Sequence, residues 1–128
     1  MPSELYERGL PVRREVLGRE YVDRSIAEAD EFLRPLQEQI TEHAWGTIWT
    51  RPGLTRRDRS LLNVGMLTAL NRPHELRLHA RGALNNGVTR DELREIMLQV
   101  AVYCGAPAAL DGTRVIREVL AEADAQAG

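Results

Sequence analysis

The chain is 128 residues long, 43% hydrophobic and 28% charged, a balance that suits one globular domain over 1–128 with a single core. A formal net charge of -2, with arginines spread along the chain, argues against nucleic acid as the main partner. The one cysteine, Cys104, excludes an internal disulfide and any Cys-x-x-Cys redox or zinc motif, and it fits a reducing cytoplasm.

Glu4 and Glu7 stand where an export signal would need an apolar core, which also points to the cytoplasm. Residues 3–18 read as helical, with Gly9 and Pro11 marking a break or a fresh start. From Ser25 to about Gln39 helical spacing continues through Ile26, Ala29, Leu33, Leu36 and Ile40, and Pro35 kinks or restarts that helix. Trp45-Gly46-Thr47-Ile48-Trp49 follows, and Arg51-Pro52-Gly53 turns the chain. Thr55 is a candidate N-cap, with Asp58 in a weak capping-box arrangement.

Residues 61–70 are apolar nearly all round, the pattern of a helix buried on most sides. In so small a domain that burial calls for neighbouring subunits. Pro73 opens the next helix and Asn86-Gly87 closes it. Thr89-Arg-Asp-Glu92 is a stronger capping box, and Leu93, Ile96, Met97, Val100 and Cys104 form the next stripe, which makes Cys104 a small core residue. Gly105 and Pro107 end that helix. A last one runs through Val115, Ile116, Val119 and Leu120 before an Ala-rich polar tail. The expectation is an all-α, compact helical domain of about six or seven helices. Its apolar runs are too short to span a bilayer, so no membrane partner is expected.

Chemistry concentrates in residues 75–87. Glu75 and His79, four apart, share one side of a helix that also carries Arg72, Arg77 and Arg81. The pair reads either as an exposed i,i+4 ion pair or as an imidazole oriented by a carboxylate for proton transfer, with arginines suited to an anionic ligand.

Several stretches carry a resemblance. They are Trp45-Gly46 with Trp49-x-Arg51-Pro52-Gly53-Leu54, then Arg56-Arg57-x-Arg59-Ser60-Leu61, then Glu75-Leu-Arg-Leu-His79. Asn85-Asn86-Gly87-Val88-Thr89 and Tyr103-Cys104-Gly105-x-Pro107-Ala108 extend them, and Tyr6-Glu-Arg-Gly9 and residues 12–18 add an N-terminal match. Together they resemble the carboxymuconolactone decarboxylase family, the decarboxylase branch of an alkylhydroperoxidase-D-like superfamily. The peroxidase branch carries Cys-x-x-Cys-x-x-x-His, and Arg72 and Glu75 occupy the two cysteine positions here. Two-thiol peroxide chemistry is therefore excluded at that place.

The resemblance implies cofactor-free conversion of 4-carboxymuconolactone, a dicarboxylate lactone, into the enol-lactone of 3-oxoadipate and carbon dioxide during protocatechuate breakdown. It also implies a homohexamer and no metal. The departing carboxylate is linked through a carbon–carbon double bond to the lactone carbonyl, so the substrate is its own electron sink. Under that reading His79 is the general acid and Glu75 its orienting partner. Arg59 and Arg81 bind carboxylates, with Arg57 and Arg72 as seconds. Trp45 and Tyr103 wall the site, and His43 is a second proton carrier. Trp45 and Trp49 read equally as core anchors, and Tyr103 as a residue at a helix or subunit boundary.

After Pro107-Ala108-Ala109 the family pattern leads to an Asn, whereas this chain has Leu110-Asp111-Gly112-Thr113. That departure keeps two alternatives open: a different lactone or β-keto acid, and a catalytically silent small-molecule-binding module.

Overall fold

The computed structural model describes residues 2–127, which form seven α-helices, one π-helix and no strand. The α-helices are α1 (Glu4–Leu17), α2 (Arg19–Glu28), α3 (Arg34–Ile40), α4 (Arg56–Ala69), α5 (Pro73–Asn85), α6 (Arg90–Cys104) and α7 (Ala106–Ala127). The π-helix, π1, is Thr41–Ile48. Contacts divide the chain into two units, Met1–Thr55 and Arg56–Gly128.

In the first unit Ser3 caps α1, its hydroxyl accepting from the Tyr6 amide at 3.1 Å. The break expected at Gly9 and Pro11 does not occur. Pro11 lies on the exposed side, and burial of Gly9, Val12, Val16 and Leu17 carries the helix past the missing amide. Gly9 also brings α1 against π1 backbone to backbone. A Cβ there would collide with the backbone of Thr41 and Gly46, and one on Gly46 would collide with the Leu5 carbonyl.

Arg13, only 5% exposed, reaches out of α1 to donate to Gln37 Oε1 (2.9 Å) and Thr41 Oγ1 (3.0 Å). Burial lowers its pKa. Helix α2 ends at Glu28, earlier than the apolar spacing predicts. Asp30 accepts from the Leu33 amide at 2.9 Å in the turn that follows. The restart at Pro35 is as expected, with the proline in the first turn of α3.

In the second unit α4 and α5 run antiparallel. Val64, Leu76, Ala80, Leu93, Met97 and Ile116 belong to its apolar cluster. Gly112 lets α7 lie on α4 and α6, since a Cβ there would sit 2.5 Å from Thr68 Cγ2 and 3.2 Å from Met97 Sδ. The capping box at Thr89 and Glu92 forms in full, and Gly87, at φ 94°, closes the turn after α5. Arg77 pairs with Glu118 and, at 3.1 Å, with Glu122, and Arg90 pairs with Asp124 at 2.8 Å.

Three further expectations are corrected. Helix α4 is buried along one face only (Ser60, Val64, Thr68), while Leu62, Met66 and Leu70 are more than half exposed on the opposite side. Cys104 is exposed rather than in the core, because the buried stripe of α6 ends at Val100. The Ala-rich tail is helical, making α7 a 22-residue helix.

Candidate active site

Helix α5 begins at Pro73, whose fixed φ suits a first turn, and 3.6 residues per turn then place Glu75, His79 and Asn86 on one side. That side meets α4. Asn86 Nδ2 donates to Ser60 Oγ at 2.9 Å, and one step along the same seam Asn63 Nδ2 lies 3.3 Å from His79 Nδ1. Arg59 precedes Asn63 by four residues, so α4 presents a guanidinium and an amide on the stripe that reaches His79. Arg59 is half-buried, its Nε fully withdrawn from solvent. Beyond this polar seam lie the open apolar side chains Leu62 and Met66.

Electrostatics at His79 are set by two opposed effects. Burial strips water from the ring and lowers its pKa from 6.5 to about 4, while the negative charge of Glu75 pulls it upward and loses. The ring is therefore neutral at pH 7. In the resting chain this pKa lies below the pH range to which a general acid would be matched. A neutral ring has one donor and one acceptor nitrogen, and the neighbour of Nδ1 is the Asn63 side-chain amide, so the role Nδ1 takes toward that amide sets the tautomer. Glu75 is exposed, and its carboxylate also lies 3.9 Å from His74 Nε2.

The other expected residues fare differently. Arg81 follows His79 by two residues, roughly 200° around the helix. Its guanidinium pairs with Glu122 of α7. It is not grouped with His79, and the ion pair supplies the reason. Arg77 shares that cluster. Arg57 is held by Glu92 and lies 3.7 Å from Asp58, and Arg72 is exposed just before α5. Tyr103, in the last turn of α6, is 79% exposed beside an equally exposed Val102, so within one chain it walls nothing. That placement fits a boundary position.

Trp45 and His43 belong to the first unit. Trp45 is 3% exposed and stacks on Trp49, with ring centroids 4.7 Å apart and planes at 22°. This is the geometry of a core anchor. Trp49 follows the last residue of π1, and the i→i−5 pattern is visible in Trp49 N to Ala44 O at 2.9 Å. His43 is exposed on π1, and its neighbour Glu42 accepts from Ser3 Oγ at 2.5 Å.

Asn63 is the site residue that the sequence reading lacks. Its signal is present: an amide interrupting the apolar run 61–70 needs a hydrogen-bond partner. No group of His, Cys, Asp and Glu suited to hold a metal occurs among the described residues.

Comparison with known proteins adds the chemical context. The Carboxymuconolactone decarboxylase family profile matches residues 34–118. A nitrosuccinic acid decarboxylase of Metarhizium robertsii is 49% identical over 116 residues, 91% of this chain and 81% of that protein. The 4-carboxymuconolactone decarboxylase of Acinetobacter baylyi is 44% identical over 117 residues, 91% of this chain and 87% of that one. A 4-carboxymuconolactone decarboxylase of Pseudomonas putida is 46% identical over 44 residues, 34% of this chain and 92% of that sequence.

Proposed function

The chain belongs to the carboxymuconolactone decarboxylase family, and on that premise we propose that it removes carbon dioxide from 4-carboxymuconolactone, giving 3-oxoadipate enol-lactone. The observation that carries the reading is the match along 91% of the chain to a relative bearing that name. It is supported by the seam on α4 and α5, where the half-buried Arg59 stands one turn before the Asn63 that meets the His79 ring, a cation and an imidazole suited to an anionic substrate.

The chemistry is a transfer of one electron pair. The bond from the ring carbon to its carboxylate breaks, and the pair moves through the adjacent double bond onto the lactone carbonyl oxygen. A donor aimed at that oxygen is stronger in the transition state than in the ground state, which is the condition for raising kcat. The Nε2–H of His79 fills this role. Arg59 holds a carboxylate and fixes the ring against His79. The resulting dienolate takes a proton from solvent at the carbon next to the carbonyl.

The relative named nitrosuccinic acid decarboxylase, 49% identical, favours a second reading on the same site. Nitrosuccinic acid is also a dicarboxylate, and its nitro group receives the electron pair as the lactone carbonyl does. Donors at one oxygen and a guanidinium at a carboxylate serve both molecules. The departure at Leu110-Asp111 bears on the choice. Leu110 is largely exposed and Asp111 pairs with Arg114 at 3.1 Å, so neither supplies the amide that the family pattern leads to there.

The test offers both acids to the purified protein and follows carbon dioxide release. Expected is turnover on 4-carboxymuconolactone that falls at least about a hundredfold in His79→Ala, the typical effect of losing one oxyanion donor. Turnover confined to nitrosuccinate selects the second reading. Release from neither acid removes both and leaves a silent binding module. Self-association is also part of the proposal, because α4 leaves an apolar face of Leu62, Met66 and Leu70 open.

A further inference from the structure

The run 61–70 contains two polar side chains, and they behave differently. Thr68 turns its hydroxyl back onto its own helix, donating to the Val64 carbonyl at 2.7 Å. Asn63 reaches across the seam to Nδ1 of His79 at 3.3 Å. A half-buried amide in an apolar run is unfavourable unless it is hydrogen-bonded, and the bond it makes is to the ring that carries the proposed chemistry.

A neutral imidazole exists in two tautomers. In one, Nε2 bears hydrogen and donates. In the other, Nε2 bears a lone pair, which repels an oxygen on which negative charge is growing. We propose that Asn63 is a positioning residue: its amide donates to Nδ1, excludes a proton from that nitrogen, and so keeps Nε2–H available for the oxygen that receives the electron pair. The inference rests on the decarboxylase reading for its purpose, but its structural content concerns the resting protein alone. A hydrogen bond of ordinary strength biases two tautomers by about tenfold. The surroundings agree with a ring kept neutral, since burial outweighs the charge of Glu75 on its own helix.

The experiment reads the tautomer directly, without substrate. In the ring-nitrogen NMR spectrum of the protein at pH 7, Nδ1 of His79 is expected at the unprotonated position and Nε2 at the protonated one. Asn63→Leu, similar in size and lacking the donor, is expected to move both signals toward a mixture of tautomers. It should lower kcat about twofold, in step with the fraction of the Nε2–H tautomer lost, with KM changed less than that. Asn63→Asp, which offers only an acceptor, is expected to place a proton on Nδ1, a change that loss of packing would not produce. A proton on Nδ1 in the unaltered protein overturns the proposal, as does an Asn63→Leu protein with unchanged ring signals. Correct ring signals in a protein that releases carbon dioxide from neither acid would instead overturn the function and leave the tautomer assignment standing.

Discussion

His79 stands where burial and a neighbouring carboxylate act with opposite signs, and burial prevails. Its pKa is about 4 in the folded chain against 6.5 unfolded, so between those values the unfolded state binds a proton that the folded state refuses. Stability from this group is complete above pH 6.5, is lost as pH falls toward 4, and loses nothing more below it. The loss is on the order of 3 kcal/mol. Denaturant melts at pH 7 and pH 4.5 are expected to show a steeper decline for the native chain than for His79→Phe. Equal declines would mean the ring is not desolvated. The i,i+4 spacing in sequence puts Glu75 and His79 on one side of a helix, and the fold agrees. The sequence reading gathers Arg81 with them by nearness along the chain, whereas helix phase sets it roughly 200° from His79 and a partner 41 residues away, Glu122, claims its guanidinium. Asn63 escapes for the same reason. Its partner lies on another helix, and only the seam of α4 and α5 brings them together.

Among elements, π1 is the least legible in sequence and the most dependent on a neighbour. Its residues carry no local signal for a wide helix. What fixes it is the crossing with α1, where Gly9 and Gly46 remove the side chains that would hold the backbones apart, and the stacked, buried pair Trp45 and Trp49. Gly46→Ala is expected to destabilise the protein by about 2 kcal/mol in denaturant melts, since overpacking against backbone outweighs the gain in helix propensity. Gly53→Ala is the control. No atom lies within 4 Å of its added Cβ, and its effect should fall within about 0.5 kcal/mol. Equal effects at the two positions would show that the crossing is not tight. Helix ends are the opposite case. The Thr89 capping box, the Pro35 restart and the Gly87 turn are all read correctly from sequence, because each is made by residues within one turn. Pro11 misleads because a proline on an exposed helix face costs less than the burial of Val12 and Val16 returns.

At the scale of the whole molecule, open apolar side chains are the surface that the proposed self-association would bury. Leu62 and Met66 stand on one face of α4 with Leu70 just past its end, Leu98, Val102 and Tyr103 stand out on α6, and Phe32 is 94% exposed before α3. Patches of this kind mark contact surfaces. Sedimentation at micromolar concentration is expected to show a species larger than one chain. The double substitution Met66→Lys with Leu70→Lys should shift it toward the monomer without unfolding it, as both positions lie outside the buried face. A native chain that sediments as a monomer would refute self-association. No helix among the described residues is long and apolar enough to cross a membrane. The amino-acid sequence by itself determines the helical class, most helix boundaries, the family and the Glu75–His79 pair, because periodicity, caps and i,i+4 spacing act over a few residues. The tertiary structure alone decides which face of α4 is buried, that Cys104 is exposed, that Arg81 serves an ion pair, and that His79 is neutral with Asn63 at Nδ1. Each of these depends on how much water and which distant side chain a residue meets, and chain order does not encode that distance.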